Sequence, residues 1–154
     1  MKNNKLKFVL DVDGVFTDGK FLYSKKGKIF KTFGPHDSDA VKIIRNYYDT
    51  SLITADKNGF EISKKRAIDM GLKIALVSEE ERFNYFKKIG FNKCIFMGDG
   101  HYDADIIKRV FYGICPDNAL NSCKKNADFI TKNKGGEGAV YEAVIHLIKK
   151  FKLK

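Results

Sequence analysis

The chain has 154 residues, 44% hydrophobic and 31% charged, proportions that suit one soluble globular domain with a sizeable core. Its formal net charge is +10, from 29 Lys and Arg against 19 Asp and Glu, but the lysines are scattered and no aromatic-basic stripe marks a nucleic-acid surface. No apolar run approaches the roughly 20 residues that span a bilayer, and the basic start MKNNKLK leads into too short and too acidic a segment for a secretion signal.

The first element is an apolar run, Phe8-Val9-Leu10, in a strand over 6–11 that ends in Asp11. Asp13 follows on a turn, then Gly14 and the cluster Thr17-Asp18-Gly19. The stretch KFLYSKKGKIFKTF reads as two short strands around Ser24 and Gly27, a β-hairpin over about 20–33. A helix over 37–48 places Val41, Ile44 and Tyr48 on one face, and a strand over 51–54 ends in Thr54. A helix over 59–70 and a strand over 74–77 come next. The helix over 79–89 opens with three acidic residues, with Ser78 as N-cap and Glu81 at the capping-box position. A strand over 94–97 runs into Gly98-Asp99-Gly100, and Asp103 follows four residues after Asp99. Helices over 103–110, 118–125 and 138–151 alternate with strands over 113–115 and 129–131. Most of these strands are short apolar runs without alternation, as in strands buried on both faces. The rhythm predicts an α/β fold with a doubly wound, mainly parallel sheet. Three cysteines, Cys94, Cys115 and Cys123, show no CxxC spacing, so free thiols are expected, and with neither a spanning run nor a secretion signal read in the sequence a cytoplasmic location is the default expectation.

Two strands therefore run into aspartates. In a parallel sheet their ends share one edge, so Asp11, Asp13 and Asp99 can converge there. Close carboxylates repel and raise one another's pKa unless a cation sits between them. A hard divalent ion such as Mg²⁺ resolves that conflict, since it prefers oxygen ligands. Thr54 ends a third strand at the same edge, where its hydroxyl suits a phosphate oxygen.

DVDGVFTDG, Thr54 and GDGHYD, with FGPHD before the first helix and KGGEGAVYEAV near the end, resemble the haloacid dehalogenase superfamily of phosphohydrolases. Within it they resemble the small capless phosphatases of 3-deoxy-2-ulosonic acid phosphates. These are the 3-deoxy-D-manno-octulosonate 8-phosphate (KDO 8-phosphate) phosphatases and the 9-phosphate phosphatases of sialic-acid-like nonulosonates. The resemblance implies a Rossmann-like single domain over 1–154, with a hairpin flap and no cap. It implies Asp11 as nucleophile forming an aspartyl-phosphate and Asp13 as general acid and base. Mg²⁺ would be held by the Asp11 carboxylate, the Asp13 backbone carbonyl and Asp99. Thr54 and the amides of the Asp13-Gly14 turn would hold the phosphoryl group. Gly14, Thr17, Asp37 and Asp103 are expected around the substrate, Thr17 and Asp18 also bracing the loop.

The family expects a lysine after the third strand. Counted from Gly71, that position is Arg82, with Lys87 and Lys88 as rivals. Other departures fall near the substrate region: Gly100 where a second Asp is usual, Ala55-Asp56-Lys57 where Gly-Arg is common, and Tyr141 where Arg is common. His36 and His101 are expected to be peripheral and His146 structural. The resemblance further implies a small phosphorylated sugar-acid substrate, a place in lipopolysaccharide biosynthesis, and no nucleic-acid or membrane partner. It also implies a homotetramer in which Phe21, Tyr23, Ile29 and Phe30 of the hairpin are covered. The alternatives are a nonulosonate 9-phosphate or other sugar-phosphate phosphatase, or a non-catalytic binding protein on the same fold.

Overall fold

The computed structural model describes residues 5–154; the first four residues of the basic N-terminus lie outside the described residues. In chain order the elements are β1 (Lys7–Asp11), β2 (Thr17–Ser24), β3 (Gly27–Phe33), α1 (His36–Ile44), β4 (Asp49–Thr54), α2 (Phe60–Asp69) and β5 (Lys73–Leu76). They continue as α3 (Glu79–Ile89), β6 (Cys94–Met97), α4 (Ala104–Arg109), β7 (Tyr112–Cys115), α5 (Asn121–Lys124), β8 (Phe129–Ile130) and α6 (Ala139–Lys150). One sheet, ordered β5-β4-β1-β6-β7-β8, is parallel throughout, and β2 and β3 form a separate antiparallel hairpin.

The alternation of side chains along β1 divides the core. Phe8 and Leu10 pack on one side with Val41 and Ile44 of α1 and Val144 and Leu147 of α6. Val9 packs on the other with Phe86 of α3 and Ile106 and Ile107 of α4. Each such side chain, fully buried, contributes roughly 1.5–3 kcal/mol. By the same alternation Asp11 shares Val9's face and turns toward α3. Thr54, two residues beyond Leu52 of the first core, turns toward α2.

The chain runs outward from β1 to β4 and β5, then crosses to β6 on the other side of β1. The strand order thus reverses at β1, and open α/β sheets form their ligand crevice beyond the strand C-termini at such a point. The register brings the strand ends level: Leu10 pairs with Leu52 on one side and Met97 on the other.

Helix ends are where the structure differs from the sequence pattern. α1 stops at Ile44; residues 45–48 form tighter turns, with Tyr47 and Tyr48 amides both donating to Ile44 O, so that the chain can enter β4. Tyr48 nevertheless stays buried against Phe8. The helix expected over 118–125 is a single turn, because Asn118 and Ala119 are held in the preceding loop. Residues 101–103 form a 3₁₀ turn before α4. The hairpin begins at Thr17, earlier than its sequence suggested. Ser78 caps α3, accepting from Glu81 N at 3.3 Å; the Glu81 carboxylate takes the Ser78 hydroxyl at 3.0 Å rather than its backbone amide. Among the described residues no helix is long and apolar enough to cross a membrane.

Candidate active site

The loop after β1 is wound tightly. The amides of Val15, Phe16 and Thr17 all converge on Val12 O, and Thr17 Oγ1 accepts from the amides of Gly14 and Gly19, each at 3.1 Å. Gly14 has φ +81°, and a Cβ placed there would lie 1.9 Å from Asp99 Oδ2, so only glycine lets Asp99 close over the loop. From behind, Asn118 Nδ2 donates to Gly14 O at 2.9 Å, while its Oδ1 accepts from Gly135 N at 2.6 Å. Gly135 presses against the same carbonyl, with a notional Cβ only 2.0 Å from Gly14 O.

Asp11 and Asp13 each have a buried cation, and the two cations come from opposite faces of the sheet. Arg82 reaches in from α3, its Nη1 3.0 Å from Asp11 Oδ2 and also paired with Asp103 Oδ1. Asp103 Oδ2 in turn accepts from the amides of Asp99 and Gly100 at 3.0 and 2.9 Å, so Asp103 fixes both the arginine and the loop that carries Asp99. On the α2 side, Lys31 of β3 lies 2.8 Å from Asp13 Oδ1 and 3.0 Å from Oδ2. Thr54 Oγ1 donates to Asp13 Oδ2 at 3.1 Å. Lys31 also contacts Asp56 Oδ2 at 2.7 Å and Ser63 Oγ at 2.9 Å, and Lys28 pairs with Asp56 as well.

Carboxylate oxygens of Asp11, Asp99 and Asp103 lie within 4.8 Å of one another. Burial, then the neighbouring charges of Asp103 and Asp99, push Asp11 well above the usual carboxylate range, although Arg82 opposes this. Burial and Asp103 push Asp99 up to about 7. Burial alone would lower the Arg82 pKa, but Asp11 and Asp103 outweigh it and keep the guanidinium charged. One arginine does not balance three crowded carboxylates. The donor set, all hard oxygens around a charge deficit, fits a divalent cation such as Mg²⁺. Asp13 turns its side chain to Lys31 and Thr54.

These groups open into a cleft of about 400 Å³. Its floor holds Asp11, Asp13, Asp99 and Arg82; Gly19, Phe21 and Lys28 of the hairpin form one wall, and His101 and Tyr102 part of another. Thr54 is fully buried and reaches the cleft only through Asp13. Thr17 is fully buried within the loop it braces. Asp37 does not join the cleft. It is buried at the start of α1, where Oδ1 accepts from Tyr141 N at 3.2 Å, and burial raises its pKa to about 6. Lys87 and Lys88 lie in the last turn of α3, outside the cleft lining. His36 is exposed, and His146 stacks on Phe129 and bonds the Tyr112 hydroxyl at 2.8 Å.

Lys28, Lys31, Ser63 and Asn118 are contributors that sequence reasoning missed. No period-two signal marks Lys31 in the strand, since Ile29, two residues before it, is 40% exposed.

Comparison with known proteins follows the same lines. A family profile described as haloacid dehalogenase-like hydrolase matches residues 80–144. The chain is 26% identical over 148 residues to 3-deoxy-D-manno-octulosonate 8-phosphate phosphatase KdsC of Haemophilus influenzae, covering 92% of this chain and 82% of that protein. A probable YrbI family phosphatase from Pseudomonas syringae pv. phaseolica superposes with a TM-score of 0.84 at 29% identity, covering 95% of this chain and 86% of that one. The 3-deoxy-D-manno-octulosonate 8-phosphate phosphatase of Moraxella catarrhalis, in complex with magnesium ion, phosphate ion and KDO, shares the fold with a TM-score of 0.82 at 24% identity, over 95% of this chain and 87% of that one.

Proposed function

We propose that the chain, which resembles the haloacid dehalogenase-like hydrolases, is a Mg²⁺-dependent phosphomonoesterase acting on a phosphorylated 3-deoxy-2-ulosonic acid of the KDO 8-phosphate type. The observation that carries the proposal is the meeting of Asp11, Asp13 and Asp99 at one end of the parallel sheet, with Arg82 bound to Asp11. Asp11 supplies the carboxylate oxygen that attacks phosphorus, and the bond to the leaving alkoxide breaks as the aspartyl-phosphate forms. Asp13 gives the alkoxide a proton, then takes one from the water that hydrolyses the acyl phosphate. Arg82 holds Asp11 in line and lessens its repulsion of the incoming anion. Asp11, Asp99 and the Asp13 backbone carbonyl would hold Mg²⁺, which when bound screens charge on the phosphoryl oxygens. Asp103 orients Arg82 and the Asp99 loop from a position it cannot leave without breaking both.

The hairpin exposes Phe21, Leu22, Tyr23, Ile29 and Phe30, an apolar surface that supports assembly into a homotetramer whose neighbouring subunits help cover each cleft. Three free, buried cysteines support a reducing, cytoplasmic setting.

Hydrolysis of KDO 8-phosphate, nonulosonate 9-phosphates and hexose phosphates, each with Mg²⁺ and with chelator, tests the reading. KDO 8-phosphate should lead the panel, and chelator should abolish its turnover. Equal, feeble rates on every ester would contradict the substrate, and rates indifferent to chelator would contradict the cation.

A further inference from the structure

The loop aspartate Asp13 is braced by a residue outside the motifs that marked the site. The Lys31 side chain is 0% exposed, whereas the carboxylate it holds is 29% exposed. The lysine therefore sits behind Asp13, and the carboxylate faces the cleft. Burying an ammonium costs several kcal/mol unless partners surround it, and here Asp13, Asp56 and Ser63 take its three donors. These partners belong to three different segments: the loop after β1, the turn after β4, and α2. Lys31 itself belongs to the hairpin. A two-stranded hairpin is marginally stable alone, so its seat on the body needs an anchor. Lys31 is one such anchor, beside Phe33 packed on the core, and Asp56 is held on its other side by Lys28 and by the Gly59 amide at 3.0 Å.

We propose that Lys31 is a positioning residue for Asp13: by gripping both carboxylate oxygens from behind it holds Asp13 in the orientation that meets the leaving-group oxygen, and it couples that orientation to the seating of the hairpin that forms one wall of the cleft. The inference rests on the phosphatase reading and goes beyond it. It assigns part of the proton-donating machinery to the flap. Its consequence is selective. An ester with a poor leaving group, such as a sugar phosphate, needs a well-placed proton donor, whereas p-nitrophenyl phosphate leaves as a stable phenolate and does not.

The test compares the full-length wild type with Lys31→Met, which keeps length but removes the charge, and with Lys31→Arg. It reads kcat/KM, which reports the steps up to phosphoryl transfer, on a sugar phosphate and on p-nitrophenyl phosphate. The methionine variant should lose roughly 10²-fold or more on the sugar phosphate, part of the 10²–10⁴-fold that a general acid contributes, and less than about tenfold on p-nitrophenyl phosphate. The arginine variant should restore part of the difference. Hydrogen exchange supplies a readout independent of activity: amides of 17–33 and 55–59 should exchange faster in Lys31→Met than in wild type. Equal losses on the two esters would overturn the positioning role, and unchanged exchange in the hairpin would overturn the coupling. Wild-type inactivity on both esters would instead sink the phosphatase reading, and the exchange data would still decide whether Lys31 anchors the hairpin.

Discussion

Asp11 is 6% exposed, and burying an ionised carboxylate that deeply costs several kcal/mol unless it is paired. The pairing comes from Arg82, which is itself 4% exposed and shared with Asp103. The placement of Arg82 follows from two local facts: alternation along β1 aims Asp11 at α3, and Arg82 lies in the first turn of that helix, four residues after the Ser78 cap. Both contacts run through one nitrogen, Nη1, so an ammonium of suitable reach can carry the same charge to the same pair. Replacing Arg82 by Met should lower kcat about 10²–10³-fold, as loss of a preorganised electrostatic partner does elsewhere. It should also lower stability by roughly 3–5 kcal/mol, because it leaves two buried carboxylates facing each other. Arg82→Lys should retain more of both. Steady-state kinetics and thermal unfolding of the two variants check this, and a methionine variant with wild-type kcat would remove Arg82 from the reaction.

At the scale of elements, the loop after β1 is held between two others. Asn118 bridges Gly14 and Gly135, so the loop before α5 and the loop before α6 both press on the turn that carries Asp13. Gly135→Ala would force a Cβ to about 2.0 Å from Gly14 O, which is backbone and cannot swing aside. The variant should unfold at lower temperature and lose more activity than Gly27→Ala, which meets nothing within 4 Å and strains only its own φ of +110°. Equal unfolding temperatures for the two variants would contradict the clamp. What could be read from the chain alone divides along the same line. The short apolar strands, the Ser78 cap and the aspartates at strand ends are local patterns, and the structure bears out the sheet they predicted. The end of α1, the single turn of α5 and the roles of Lys31 and Asn118 depend on what another segment places nearby. No spacing within one segment carries that information. Asp37 is the converse case. It lies in FGPHD, a stretch read from the sequence as resembling the family, but the fold turns it under α6 and away from the cleft.

At the scale of the molecule, charge is unevenly arranged. The chain carries +10 overall, yet the cleft is lined by Asp11, Asp13, Asp56, Glu79, Glu80, Asp99 and Asp103 against Lys28 and Arg82. On the proposed function, a positive field from scattered surface lysines would draw an anionic substrate in, with an effect that salt weakens. The acidic floor would then need a cation before an anion settles on it, which would tie turnover to the metal. The whole account turns on Asp11 as the atom that accepts phosphorus. The most direct measurement is rapid acid quench of the Mg²⁺-loaded enzyme with a phosphate ester, followed by mass spectrometry of the peptide that contains Asp11. The account predicts a transient phosphoryl adduct on Asp11 in the wild type, with neither adduct nor turnover in Asp11→Asn. Sustained turnover by Asp11→Asn, or an adduct on any other residue, would contradict it.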